Sequence, residues 1–490
     1  MRIGGLASGI NTDEIIEKMM AAERMPLDRM EQDKTTLEWK RDGFREINKA
    51  LLELDNMMLD MKLSKTYNSK IVTSSMESAV TATATSSAAN GTYKIEVKEL
   101  ATSAMNVSVL ENDQKININQ TLEPGTITFK TYNEPGAEEE FTEHEITIDE
   151  NDTIKDVLDK ITEQDNNVRA FYDKPSGQVV LETTRTGKYN PAENGPEIDF
   201  SVDQSGFFTN VLKMTGKETG GTDASFTYND GLTLTSKDNS YTLNGITFSF
   251  HDTGTSTLTV DNDTNAAFDS IMAFVDKYNE VVDVMNSSQR EEKHRDFPPL
   301  TEAQKEEMTE KEIELWEEKA KSGLLRGDST ITNGLFSMRN SWYSKVETGG
   351  EITSLTQIGI ETSSAYLDGG KLIVDEDKLR TALREDPDGV QKLFSNNEEK
   401  DSRGLVNRLE DSIEATMKSI ERKAGKSTST LENYTLGKQM KELNERISSF
   451  EDRLVRIETR YWNQFSAMEQ AIQRMNQQSS YLMSQFGGNM

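Results

Sequence analysis

The stretch MKELNERISSFEDRLVRIETRY, residues 440–461, sets Met440, Leu443, Ile447, Phe450, Leu454, Ile457 and Tyr461 at alternating spacings of three and four. That is the seam of a coiled coil, held for 22 residues without a break. Beyond it the stripe loosens: Phe465, Met468, Ile472 and Met475 continue it, diluted by Gln464, Gln470, Gln473, Gln477 and Gln478. A long helix of this kind is marginal by itself and needs a surface to lie against. Two partners suit it: a helix from the other end of the same chain, or the same helices of neighbouring copies.

The other end supplies such a helix. Leu27, Met30, Lys34, Leu37, Arg41 and Phe44 follow the same spacing with two charged seam positions, and Ile47, Leu51, Leu54, Met58 and Met61 resume it with apolar residues only. The second segment is expected to pack more firmly than the first. Asn11 to Glu14 are expected to cap this helix, with the Thr12 hydroxyl and the charges of Asp13 and Glu14 at its positive end, and Pro26 to restart or bend it. Gly4, Gly5 and Gly9 make the extreme end flexible.

Between the helical ends the period changes to two. Tyr93, Ile95 and Val97 alternate with Lys94, Glu96 and Lys98, and further strands are expected at 116–118, 126–132, 145–148, 168–172, 179–183, 224–228, 241–250 and 257–260. Pro124-Gly125, Ser176-Gly177 and Asn244-Gly245 supply the turns. Residues 69–90, rich in Ser, Thr and Ala, read as a crossing linker with one extended segment. Helix returns after Asn265 and is expected at 301–321, 329–343, 376–384, 387–394 and 404–420, with a small hairpin joining Leu372–Val374 to the segment around Tyr366 through Gly369-Gly370. The run 301–321 holds eight Glu and four Lys, a solvated face in the main; Trp316 within it is hard to leave in solvent and is expected as a packing anchor. The fold class is therefore multidomain α+β, in which helical coiled-coil termini and a helical domain enclose two small, mostly antiparallel β domains, one inserted in the other.

Composition removes many functions. With 490 residues the chain exceeds one core. Its net charge of −30 leaves no basic footprint for nucleic acid. The ends are nearly neutral, −2 over the first 65 residues and +1 over the last 55, so the middle carries −29. There is no Cys, and His144, His251 and His294 are the only imidazoles, which leaves no thiolate chemistry and no His pair at ligand spacing. Asp261, Asp263 and Asn265 resemble the start of a calcium loop, but Ala266 stands where Gly is needed and Met272 where Glu is needed. Gly425-Lys426-Ser427 lacks the first glycine of a phosphate loop, and Gly5-Leu6-Ala7-Ser8-Gly9 has Ala at the nucleophile position. No catalytic, cofactor or metal residue is assigned, and the chain is not read as an enzyme. The longest apolar run, Ile271–Val275, is far short of the roughly 20 residues of a membrane span. The first 20 residues lack the apolar core and cleavage site of a removable signal, so the chain is expected to be cytosolic or exported with its amino terminus intact.

Three stretches resemble the flagellar filament capping, or hook-associated capping, protein family: GGLASGINTDEIIEKMMAAERMPLDRM (4–30), PLTEAQKEEMTEKEIELWEEKAKSGLLRGDST (299–330), and the terminal coiled coil running into SSYLMSQFG (479–487); in addition ITIDENDTIKDVLDKITEQDNNVRAFYDKPSGQVVLETTRTG (146–187) is similar to a short repeat shared by flagellins and their relatives. The resemblance implies an extracellular cap at the flagellum tip that promotes folding and insertion of exported flagellin. It implies export through the flagellar type III apparatus without a cleaved signal, a ring of copies, commonly a pentamer, and docking on flagellin at the filament end. Further partners implied are the hook–filament junction protein and an export chaperone on the carboxyl-terminal coil, with no nucleic acid and no membrane insertion. It divides the chain into 1–44 with 446–490 as a coiled-coil leg, 45–80 with 266–445 as a helical leg domain, 81–125 with 200–265 as a β domain, and 126–199 as an inserted β domain. On that reading Leu27, Met30, Leu37, Phe44, Leu454, Ile457, Tyr461, Phe465 and Met468 contact the filament end or neighbouring legs, and Trp316 anchors the core that supports them. The end stripes are then expected to find their partners only in a multi-copy assembly. Another flagellar axial protein, a flagellin or junction protein, and a tip adhesin binding mucin or a host surface are the alternatives.

Overall fold

A computed structural model describes residues 11–111, 114–192, 195–399 and 402–486. The chain forms two compact units, Met1–Tyr67 with Asn265–Met490, and Asn68–Thr264.

The first unit is helical. Its opening helix, Thr12–Met61, runs unbroken through Pro26. The cap is Asn11, whose side chain accepts from the Glu14 N–H at 3.3 Å, whereas the Thr12 hydroxyl is buried without a hydrogen-bond partner. The apolar stripe Phe44, Ile47, Leu51, Leu54, Met58 and Met61 is buried, and each such side chain contributes on the order of 1.5–3 kcal/mol. It packs into a core shared with the helices Thr264–Arg290, Ser329–Ser341 and Leu405–Ala424. Trp342, 4% exposed, sits edge-on to Phe274 and Tyr278 at ring separations of 6.2 and 5.3 Å. Arg45 closes the end of the helix Leu405–Ala424, donating to the carbonyls of Ala424, Gly425 and Lys426 at 3.2, 3.2 and 2.8 Å. Three carbonyls thus meet one guanidinium where Gly425 turns the chain with φ 65°, the Lys426 carbonyl also accepting from the Ser429 N–H at 3.0 Å. The chain closes with a second long helix, Thr435–Phe486.

The second unit is built from antiparallel sheets around two cores. In one, five strands in the order Lys70–Ser74, Gly254–Asn262, Gly91–Glu99, Ala224–Tyr228 and Leu232–Ser236 share a core with three more, Ser240–Leu243, Ile246–Phe250 and Val80–Ala84. Ile95 and Val97 point inward and Lys94 and Glu96 outward, as the alternation requires. Asn244-Gly245, with φ 50° and 79°, makes the tight turn that sets Leu243 opposite Ile246. The other core has a four-stranded sheet, Thr219–Gly220, Ser103–Val107, Gln178–Thr186 and Val168–Asp173, and a three-stranded one, Phe141–Ile148, Gly125–Tyr132 and Ile198–Asp199, around the helix Ile154–Glu163. Thr153 and Asp156 form a reciprocal capping box at that helix.

Three readings of the sequence need correction. Residues 69–90 are not a linker with one extended segment but hold two paired strands, Lys70–Ser74 and Val80–Ala84; pairing with Gly254–Asn262 and Ile246–Phe250 supplies the order that their small side chains do not signal. Residues 116–118 form no strand: the Ile118 and Gln120 carbonyls accept from Lys155 and Ile154 at 2.9 and 3.1 Å, serving the first-turn donors of the helix instead of a ladder. Leu372–Val374 pairs with Ile360–Thr362, while Tyr366–Asp368 is a 3-10 turn.

In the second core His144 is 7% exposed, its Nε2 lies 2.8 Å from the Thr131 hydroxyl, and its ring lies 5.1 Å from that of Phe129. Burial holds this imidazole below its ordinary value, against a weaker upward pull from Asp165. The unfolded chain therefore binds the proton more readily. Its stabilisation is fully present above the unfolded value, about 6.5, and is lost as pH falls through the folded one. Between pH 7.5 and 5 the melting temperature of the sheet unit is expected to fall, and to fall less in His144→Gln; equal slopes would show that His144 is not the group responsible.

Candidate assembly interface

The two long helices lie antiparallel. Ile16, Met20, Leu454 and Ile457 form a small buried cluster, with Leu27, Phe450, Tyr461, Trp462 and Phe465 half-buried around it. The Tyr461 hydroxyl donates to Glu23 Oε1 at 2.9 Å. Nearer the main core a groove of about 970 Å³ opens between the helices, with Met25, Pro26, Met30 and Phe450 beside Arg29, Arg446, Arg453, Asp33, Glu442 and Glu445. Pro26 has no N–H to give the carbonyl of Ala22, and both residues line this groove. Burial together with Asp28 and Glu451 pushes the Glu31 carboxyl up nearby. The cluster is small and its flanks are wet, which makes this pair the weaker part of the helical unit.

The expected contact residues divide into three groups. Leu454 and Ile457 are buried against the same chain's Ile16 and Met20, and Leu27, Tyr461 and Phe465 pack around them. Met30 lines the groove, and Met468 is half-buried further along. Leu37 packs against the main core, and Phe44, 1% exposed, lies inside it, so Phe44 belongs to no surface of the folded chain. The end stripes do not wait for other copies: the seam's first partner is the chain's own opening helix. Past Met468, Met475, Leu482 and Met483 are 66, 52 and 74% exposed. Gly4, Gly5 and Gly9 lie outside the described residues.

Trp316 is half-buried and stands apart from the main core. Its ring meets Phe297 at 4.7 Å and its Nε1–H donates to the Pro298 carbonyl at 2.7 Å. It ties the helix Glu310–Lys321 to the segment before it, and Gln32 of the opening helix donates to the neighbouring Pro299 carbonyl at 2.8 Å. Sequence reasoning missed Ile16 and Met20; their spacing of four just after the Asn11 cap was the available signal. Among the described residues no cluster of three or more His, Asp or Glu could hold a metal ion, and no helix is long and apolar enough to cross a membrane.

The models of the flagellar hook-associated protein 2 N-terminus and C-terminus match residues 8–104 and 221–477. The flagellar hook-associated protein 2 of Halalkalibacterium halodurans is 38% identical over 99% of this chain and all of its own length. That of Thermotoga maritima is 30% identical over 70% of this chain and 54% of its own. In fold the chain is similar to the crystal structure of the D1-D2-D3 domains of the flagellar cap protein FliD from Escherichia coli, with a TM-score of 0.56 and 18% identity over 79% of this chain and 97% of that one. Helical ends, intervening antiparallel sheets and a match along nearly the whole sequence lead to one assignment: the chain belongs to the flagellar hook-associated protein 2 family, the structural cap proteins of the flagellar filament.

Proposed function

We propose that this chain caps the distal end of the flagellar filament and that its paired end helices are the legs that hold it there. The carrying observation is the antiparallel pairing of Thr12–Met61 with Thr435–Phe486, whose ends away from the main core meet, among the described residues, through a small cluster of four buried apolar side chains, Ile16, Met20, Leu454 and Ile457, continued by an exposed stripe at Met475, Leu482 and Met483. A seam of that size binds and releases without unfolding the main core, as a leg that steps between sites must. Leu27, Met30, Tyr461, Phe465 and Met468 keep part of their surface outward and remain the proposed contacts with the filament end; Leu454 and Ile457 act by holding the helices together. Leu37 supports the base of the leg, and Trp316 fixes the segment against it.

The cap acts as a ring of copies, commonly five, above the site where exported flagellin folds. The hook–filament junction protein offers the first docking surface, and an export chaperone covers the apolar end of Thr435–Phe486 before export through the type III route, without a cleaved signal. The division into leg, helical domain, β domain and inserted β domain belongs to the same proposal. Gold-labelled full-length protein added to native filaments should appear by negative staining at distal ends only; label distributed along the shaft would mean an axial subunit instead.

A further inference from the structure

We propose that successive copies of this chain meet head to tail, the arginine-bearing aromatic face of Ser329–Ser341 on one copy seating against the glutamate row of Glu310–Lys321 on the next. The inference rests on the multi-copy reading above and names the surfaces that make it.

Phe336, Arg339 and Tyr343 fall at spacings of three and four, so they share one side of the helix and the turn that follows. The Arg339 guanidinium lies 5.6 Å from the Tyr343 ring centroid, and its Nε donates to the Tyr343 hydroxyl at 3.0 Å. Leu367 belongs to the adjoining turn, where its carbonyl accepts from Asn286 and Arg290 at 2.8 and 2.9 Å. Gly370 of the same turn abuts Arg339 so closely that a Cβ would stand 3.0 Å from its Cγ. Phe336, Tyr343 and Leu367 are 66, 58 and 60% exposed. A single exposed leucine calls for no explanation, but two aromatic rings, a leucine and two arginines in one place have the make-up of a protein contact. Among the described residues neither Arg290 nor Arg339 has a carboxylate within ion-pair distance; the nearby Asp283 is taken by Lys371 at 2.6 Å, and Asp368 by the Ser363 hydroxyl.

Charge identifies the occupant. Glu310, Glu314 and Glu318 form an exposed row at spacings of four, with Leu315, 52% exposed, beside them. Lys305 and Lys321 are spent on Glu317, at 3.9 and 3.2 Å, and among the described residues no cation pairs with the row. Like charges at that spacing destabilise a helix, and two guanidinium groups without a carboxylate, flanked by apolar side chains, relieve the repulsion while covering Leu315. Both surfaces lie on every copy and they differ from each other, so the contact is heterologous, the kind that closes into a ring.

Because the chain has no Cys, single cysteines report the contact directly. Full-length Leu315→Cys and Phe336→Cys, treated with a short bismaleimide, should each stay uncrosslinked alone and give covalent dimers when mixed. The double variant should give a ladder ending at the copy number of the ring. Arg339→Glu and Glu314→Arg should each weaken self-association by roughly tenfold or more, and their combination in one chain should restore it. Phe336→Cys coupling to itself, coupling to flagellin in preference to a second copy, or failure of the combined reversal to restore association would each overturn the proposal. So would rings seen by electron microscopy without the mixed cross-link, an outcome that leaves tip capping intact; loss of tip label in the filament experiment fails the capping reading separately.

Discussion

Replacing Ile457 with Asp is expected to separate the two end helices and abolish capping while the main helical core stays folded. Ile457 is 8% exposed in a cluster of four buried apolar side chains. Burying that charge unpaired costs on the order of 3–5 kcal/mol, more than so small a cluster can absorb, so the helices part. The core around Phe44, Leu51, Tyr278 and Leu409 is a distinct cluster and shares no buried residue with the first. Circular dichroism should therefore show lost helix with the main thermal transition retained, proteolysis should concentrate in residues 12–40 and 450–486, and cells carrying the variant should release flagellin unpolymerised. Val455→Asp is the matched control. Two residues away and 63% exposed, Val455 faces outward; a carboxylate there should leave the helix pair intact. If Val455→Asp unfolds the pair as thoroughly as Ile457→Asp does, the register of the seam is wrong. If it stops capping without unfolding, the outward face is itself a docking surface.

That contrast marks what could be read in advance. A seam of 22 residues carries its own period, so both end helices and their inner stripe were legible. Their antiparallel register was not, because a stripe says which side is buried and not what covers it. Leu454 and Phe44 look alike in a heptad, yet one seals a small terminal cluster and the other a large core. The strands at Gly91–Glu99 and Ile246–Phe250 declared themselves through alternation and an Asn-Gly turn, while Lys70–Ser74 and Val80–Ala84 are ordered by partners distant in sequence. Arg45 sits beyond local prediction for the same reason: its three carbonyl acceptors come from residues 424–426. The proposed contact faces were half legible. The glutamate row shows its spacing in the sequence, but the cluster of Phe336, Arg339, Tyr343 and Leu367 depends on a turn that only the fold brings alongside.

The second large effect concerns the tryptophans. Trp316 draws the eye because it interrupts a run of glutamates, whereas Trp342 lies in the unremarkable segment SMRNSWYSK. Packing reverses their weight. Trp342 is 4% exposed and touches the rings of Phe274 and Tyr278 at the centre of the helical core; Trp316 is half-buried and braced by Phe297 and one hydrogen bond. Trp342→Ala should cost about 3–5 kcal/mol, lowering the melting temperature of the helical unit by roughly 10 °C. Trp316→Ala should cost about 1–2 kcal/mol, since much of its ring area stays in water in either state. Its main consequence should be local: with the Pro298 carbonyl released, the helix Glu310–Lys321 detaches from the segment before it, and hydrogen exchange across 297–321 should accelerate with little change elsewhere. The glutamate row would then be presented less firmly to the next copy, so Trp316→Ala should loosen self-association by more than its small effect on melting suggests. A Trp316→Ala variant that melts as early as Trp342→Ala would return Trp316 to the core; one that melts normally and associates normally would remove it from the assembly altogether.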